Sequence, residues 1–270
     1  MEAALRRVAE LDVELTRHPG HATELARGAE GCDAILVFSG DGVLNEVVNG
    51  IAGAASVGIL PGGGTNVFAR GLGLPRDAVA AAHQLAGALE AGRTRRISVG
   101  RVNGRRFILS AGVGFDAEVL RRVGRSGDGR RPRDLRFAAT ILRMLAEQRG
   151  RYDPALEIDG AGRAAFVFVA NGDPYTYAGR VAMRVAPEAT FAGGLDFLAP
   201  ERIRTLDVPR LLASFALGRV RLRHVLRGHD LDRIEVRCDR PLPLQADGED
   251  LGDVEHALVE TERHALDILV

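Results

Sequence analysis

Two glycine-rich segments carry the residue types best suited to chemistry. Phe38-Ser-Gly-Asp-Gly-Val-Leu-Asn-Glu-Val-Val-Asn-Gly50 sets Asp41 between Gly40 and Gly42, and Leu60-Pro-Gly-Gly-Gly-Thr-Asn-Val-Phe-Ala-Arg70 sets three glycines before Thr65 and Asn66. Glycine lets a backbone approach an anion closely, and a helix start just beyond supplies unpaired N–H groups and a positive dipole end. Ser39, Gly40 and Gly42, with Gly62, Gly63 and Gly64, therefore read as a cradle for phosphate groups, and Thr65 and Asn66 add a hydroxyl and an amide. Asp41 would be repelled by phosphate unless it takes a proton or binds a metal. Taken alone, the same turn reads as an ordinary strand-to-helix junction with Asp41 as a helix cap. A third segment, Ala246-Asp-Gly-Glu249, holds two carboxylates two residues apart. On an extended backbone Asp247 and Glu249 share a face; the competing reading is a surface hairpin turn.

The elements that must position these residues follow from periodicity. Ala34 to Phe38 and Val57 to Leu60 are apolar runs too short for helices and typical of buried parallel strands. Each leads into a glycine cluster and then a helix, the first with Val43, Val47, Val48 and Ile51 as its inward stripe. Asp12 to Thr16 alternates like a further strand, Ala22 to Ala29 reads as a short helix, and Asp77 to Leu89 as an Ala-rich helix ending near Gly92. Such alternation predicts a doubly wound α/β layer, whose ligands bind beyond the C-terminal ends of its strands. After Arg95 the texture becomes strands and tight turns. Asn103-Gly104 between Ile97 to Val102 and Arg106 to Ser110, and Asp159-Gly160 between Ala155 to Ile158 and Ala165 to Ala170, predict hairpins. Further strands are predicted over Val181 to Val185, Leu195 to Leu198, Arg233 to Cys238 and Leu242 to Ala246, and helices over Asp134 to Gln148 and Val208 to Leu217. The least structured stretch is Gly124 to Pro132. The expected fold is thus an α/β domain over residues 1–95, an antiparallel β-sandwich with inserted helices over 96–258, and a last strand, 259–270, returning to the first domain.

All 36 basic residues are arginine and balance 36 acidic ones. A chain without lysine cannot form a Walker A loop, a protein-kinase ATP site, a pyridoxal phosphate Schiff base or a Ser-Lys hydrolase. Zero net charge argues against nucleic acid as a partner. Cys32 and Cys238 lie outside zinc-ligand spacing and read as reduced and buried. No apolar run approaches membrane-spanning length, so the expected location is cytoplasmic, peripheral at the inner membrane face.

The two glycine segments together resemble the diacylglycerol kinase and sphingosine kinase catalytic family, relatives of NAD kinase. The resemblance continues through Gly112-Val-Gly-Phe-Asp-Ala-Glu-Val119, Ala170-Asn-Gly172, Ala186-Pro-Glu-Ala189 and Ala246-Asp-Gly-Glu249, in order along nearly the whole chain. It implies a two-domain kinase with nucleotide in the cleft, transferring the γ-phosphate of ATP, with Mg2+, to a lipid hydroxyl, diacylglycerol being the first expectation. Carried over by position, Ser39, Gly40, Asp41, Gly42, Asn45 and Glu46, together with Gly62 to Asn66 and Glu249, bind nucleotide. Asp247 or Asp41 is the general base, Asp247 being preferred. Asp116 and Glu118 lie near the substrate head group or support the active site, a helix-start cap being the competing reading for Asp116, and Glu249 and Asp196 lie near metal.

Departures from the family stand beside the matches. Val43 replaces the usual threonine, the family's opening strand and its Asn-Pro-x-Ser-Gly loop have no counterpart, and Ala192-Gly193-Gly194 stands where many bacterial members carry Asp-Asp-Gly beside a structural magnesium. Two readings therefore stand against the lipid kinase: an NAD kinase-like or other small-alcohol kinase, and a catalytically weak lipid- or nucleotide-binding protein. Arginine-rich stretches at Arg121 to Arg151, interleaved with Leu135, Phe137, Ile141, Leu142, Met144 and Leu145, and at Arg202 to Arg227, suit either an anionic lipid surface or a solvated face. A homodimer is compatible with the sequence.

Overall fold

The computed structural model describes residues 1–125, 134–219 and 224–270. The chain forms two units, Met1–Val99 with Glu262–Val270, and Gly100–Thr261.

In the first unit the apolar run Ala34–Ser39 is strand β1, parallel to β2 (Ser56–Pro61) in a register from Ala34 against Ser56 to Ser39 against Pro61. The C-terminal end of β16 (Glu249–Leu269) pairs parallel on the other side of β2, Ile268 against Val57. Helices α1 (Glu2–Leu5), α2 (His21–Gly28), α3 (Asp41–Gly50), α4 (Val67–Gly71) and α5 (Ala78–Glu90) complete the unit. Asp77 caps α5, its carboxylate accepting the Ala80 N–H at 2.8 Å,. Ala81, Ala82 and Leu85 of α5 pack with Leu5, Leu60 and Leu269. Gly58 leaves room for the leucines there, since a Cβ would lie 2.5 Å from Leu36 Cδ2 and displace that side chain. The buried stripe of α3 is Leu44, Val47 and Val48, whereas Val43 stays partly exposed. The helix starts at Asp41 and its wheel is turned accordingly.

Asp12 to Thr16 is not a strand. Alternation tells which side chains share a face but supplies no neighbour to pair with, and Val13 and Leu15 stand 57% and 77% exposed. Cys32 is exposed, not buried.

In the second unit β3 (Thr94–Val102), which the chain enters from the first, turns at Asn103-Gly104 into β4 (Arg105–Phe107). Both turn residues have positive φ, 47° and 89°, as the two-residue hairpin requires,. The predicted strand Arg106 to Ser110 is broken: pairing stops at Phe107 and resumes in β5 (Ser110–Val113), leaving the amides between them for a side chain described below. Helices α6 (Phe115–Arg125) and α7 (Asp134–Glu147) follow. The Gly124 to Pro132 stretch lies largely outside the described residues, as do Arg130, Arg131, Arg133, Arg221, Arg223 and the side chains of Leu135 and Phe137.

After β6 (Arg151–Tyr152), the Asp159-Gly160 turn joins β7 (Leu156–Ile158) to β8 (Gly162–Ala164), not to the later apolar run. That run, β9 (Val167–Ala170), lies between β5 and β12 (Leu195–Pro200). Val167 and Val169 pack with Phe107, Leu195 and Val236 on one face, and Phe168 and Ala170 pack with Leu145, Leu198 and Ile203 on the other. Burial on both faces explains its unbroken apolar character.

The hairpin of β10 (Thr176–Ala178) with β11 (Val181–Met183), strand β13 (Ile203–Arg204), a 3-10 turn at Thr205–Asp207, α8 (Val208–Ala216) and β14 (Val225–Leu231) lead to the last long strands. Arg233 to Cys238 and Leu242 to Ala246 form one strand, β15 (Arg233–Ala246), whose register with β16 shifts between Arg237 and Leu242. Of the apolar residues on α7, Ile141, Met144 and Leu145 pack inward on this unit, and Leu142 stays exposed. Among the described residues no helix is long and apolar enough to cross a membrane.

Candidate functional site

The C-terminal ends of β1 and β2 bring the two glycine segments together. Gly62 N donates to Ser39 O at 2.9 Å. A Cβ on Gly63 would lie 2.6 Å from Gly40 Cα, so the loops touch backbone to backbone and the second tolerates no side chain at that point. Gly40, extended at the N-cap of α3, offers no side-chain cap, which leaves first-turn N–H groups for an anion,. Gly62, Gly63 and Gly64 are exposed.

Asp41 caps a helix, but not its own. Oδ2 accepts the Val67 N–H at 2.9 Å and Oδ1 the Phe68 N–H at 3.1 Å, so its carboxylate fastens the start of α4 to the start of α3. Asn66, in left-handed conformation (φ 48°), closes the second loop on itself. Its Oδ1 accepts Gly63 N–H at 3.0 Å and its Nδ2 donates to Gly63 O at 2.8 Å. Its side chain therefore shapes the loop, whereas Thr65 is partly exposed beside it.

Two expected nucleotide contacts are engaged elsewhere. Glu46 accepts the Ala22 N–H at 3.2 Å and so caps the first turn of α2. Asn45 is buried and accepts from Asn49 Nδ2 at 3.1 Å. Phe38, not singled out from the sequence, stands 57% exposed with its ring 3.0 Å from where a Gly62 Cβ would sit. The period of two was the available signal, since a buried Val37 turns Phe38 to the opposite face.

In the second unit Asp247 and Gly248 form the two-residue turn between β15 and β16, with φ of 47° and 86°. The backbone is not extended there, so Asp247 and Glu249 do not share a face as expected. Asp247 folds back on the break between β4 and β5. Oδ2 accepts Ile108 N–H at 2.7 Å, and Oδ1 accepts Leu109 and Ser110 N–H at 2.8 and 2.9 Å. Glu249 pairs instead with Arg105 at 2.5 Å.

Asp116 sits in the first turn of α6. Tyr175 Oη donates to its Oδ1 at 3.1 Å and Gln245 Nε2 to its Oδ2 at 2.9 Å. Desolvation of the carboxyl outweighs both bonds and raises its pKa to about 6,. The same burial, with the nearby carboxylate, pushes the Tyr175 hydroxyl well above its usual range. Gly112 makes the space, since a Cβ there would lie 2.6 Å from Asp116 Oδ2. Glu118 is not part of this cluster; it pairs with Arg122 at 2.6 Å along α6.

The expected metal ligands are not assembled for a cation. Asp196 is buried, and its oxygens accept from His229 Nδ1 (2.9 and 3.0 Å) and Asp230 N (3.0 Å). The hydrogen bond to Asp196 raises the His229 pKa. A hard cation asks for free oxygen ligands, and Glu249 and Asp196 both have cationic or N–H partners. Among the described residues the three-group cluster with metal-ligand spacing is His18, His21 and Glu24, where His21 Nδ1 already accepts the Arg17 N–H at 3.1 Å.

Residues 1–102 match the diacylglycerol kinase catalytic domain, and residues 109–270 the YegS C-terminal NAD kinase beta sandwich-like domain. The chain is 29% identical over 274 residues to diacylglycerol kinase of Bacillus subtilis (strain 168), covering 94% of this chain and 84% of that one. A diacylglycerol kinase of Bacillus anthracis strain Sterne has a similar structure (TM-score 0.66, 21% identity, 94% of this chain and 83% of that one). An NAD kinase from Archaeoglobus fulgidus in complex with ATP shares the fold (TM-score 0.52, 16% identity, 100% and 87%). A catalytic-domain match over the first unit and a β-sandwich match over the second place the chain among the diacylglycerol kinase-like lipid kinases, a family of transferases.

Proposed function

We propose that the protein phosphorylates diacylglycerol with ATP, giving phosphatidic acid. The observation that carries this reading is the backbone contact between Gly40 and Gly63, which turns two strand ends into one amide-rich surface suited to a phosphate chain. Magnesium enters as the ion accompanying ATP; no step is assigned to Asp196 or Glu249 as its ligands.

A lipid hydroxyl is a weak nucleophile, so a carboxylate must accept its proton as the phosphoryl group moves. An ionised carboxylate has about four acceptor positions. Asp41 uses two on Val67 and Phe68, and Asp247 uses at least three on Ile108 to Ser110. The spare capacity, and the place at the phosphate turn, favour Asp41 as base, reversing the preference drawn from the sequence. Asp247 is then a positioning residue that holds the break between β4 and β5.

The test is transfer of labelled phosphate from ATP, with magnesium, to a panel of detergent-dispersed lipids and small alcohols. Labelled phosphatidic acid from diacylglycerol is the expected product. Transfer to a small alcohol or to NAD instead, or ATP binding without transfer to any acceptor, would replace this reading.

A further inference from the structure

Helix α8 is apolar on both sides. Val208, Leu211 and Phe215 form its inner face, with Val208 and Phe215 packed against Phe166, Phe168 and Leu198, and Arg184 N donates to Phe215 O at 2.9 Å. Its outer face presents Pro209, Leu212, Ala213 and Ala216, continues past the helix end into Leu217, and carries no acid. Leu217 is 72% exposed, and Leu206, on the 3-10 turn before the helix, is 88% exposed. A surface helix normally turns charge outward, so an apolar outer face asks for an occupant.

The charges around the face say which. Between residues 202 and 219 there are four arginines, Arg202, Arg204, Arg210 and Arg219, and one acid. That acid, Asp207, is exposed, and its carboxylate accepts the Arg204 backbone N–H at 3.2 Å, so the arginines still outnumber it on this surface. Arg202, Arg204 and Arg210 line a groove of about 630 Å3 together with Asp207, Leu211 and His224, whose ring faces Glu201 at 3.3 Å. Exposed leucines ringed by arginines suit insertion just below a layer of anionic headgroups. A symmetric contact with a second copy would set these arginines against themselves.

We infer that the 3-10 turn and outer face of α8 dock on an anionic lipid bilayer, with Leu206, Leu212 and Leu217 entering the interface and Arg202, Arg204 and Arg210 meeting phosphate groups. The inference deepens the lipid-kinase reading by naming the surface through which the enzyme would meet its substrate's membrane.

Co-sedimentation of the full chain with vesicles tests it. The protein should bind phosphatidylcholine vesicles containing phosphatidylglycerol, and not phosphatidylcholine alone. Leu206→Asp with Leu217→Asp should weaken that binding about tenfold or more, and each of Arg202→Gln, Arg204→Gln and Arg210→Gln about fivefold. All these variants should keep wild-type transfer to detergent-dispersed diacylglycerol, which separates this surface from the phosphate site. Variants that bind vesicles as well as wild type, or a Leu217→Asp variant that converts a dimer to a monomer in sedimentation, would overturn the inference. Vesicle binding without transfer in detergent would uphold it and remove the kinase reading.

Discussion

The phosphate turn of the first unit and the acid corner of the second solve opposite problems. At the turn, donors are plentiful: glycines bring two backbones into contact, first-turn amides of α3 are left for an anion, and the one carboxylate, Asp41, is held by two N–H groups with acceptor capacity to spare. At the corner, acceptors are withdrawn from water: Asp247 is consumed by three amides, and Asp116 sits between Tyr175 and Gln245 with its pKa near 6. The contrast teaches that aspartates in two glycine-rich motifs can both fasten backbone and yet differ in the acceptor capacity they have left.

Replacing each aspartate by asparagine should give the largest difference between the two sites. Asp41→Asn should lower kcat by about 10²- to 10⁴-fold with a stability loss of about 1 kcal/mol. Asp247→Asn should cost about 2–4 kcal/mol in urea unfolding, because buried amides lose acceptors, while residual activity follows the folded fraction. The opposite ranking would make Asp247 the base.

Glycine substitutions should separate ligand space from folding space. Gly63→Ala forces a Cβ to 2.6 Å from Gly40 Cα and 2.9 Å from Asn66 Oδ1, so the loop must open, and the KM for ATP should rise at least about tenfold,. Gly42→Ala meets nothing within 4 Å. It should stabilise α3 by about 0.5–1 kcal/mol yet still weaken ATP binding, seen by calorimetry. A variant that is stabilised and binds ATP normally would return the segment to an ordinary turn.

A smaller effect tests the corner. Because burial raises the Asp116 pKa to about 6, above its unfolded value, the folded state binds the proton more tightly,. The contribution of Asp116 to stability is then fully present below the ordinary carboxylate range and is lost as pH rises through about 6,. Asp173, buried beside Arg184 and also raised to about 6, adds a contribution of the same sign. The fall in urea midpoint across this window should shrink in Asp116→Asn and persist in part through Asp173. The smallest difference is kinetic: Cys32, exposed, should react quickly with a thiol reagent at neutral pH, whereas Cys238, half-buried with its thiol pushed up to about 11, should react slowly.

What could be read in advance depended on how local its cause is. The glycine loops, the Ala-rich helix α5 and the Asn103-Gly104 hairpin follow from neighbours in sequence. The engagement of Glu46 with Ala22, and of Asp247 with Ile108 to Ser110, depends on partners brought close only by folding. Asp12 to Thr16 shows the same limit from the other side, with a good strand pattern and no strand to pair with. The outer face of α8 was hidden differently, because an apolar helix reads as core until both of its sides are seen.

The bond from Asp41 to the start of α4 also bears on how such proteins can diverge. Neither glycine loop is an independent cassette: the carboxylate in the first sets the position of the backbone in the second. A chimera that imports one loop from a relative inherits half a joint, so recombination between family members should succeed only when residues 39–70 travel as a single block.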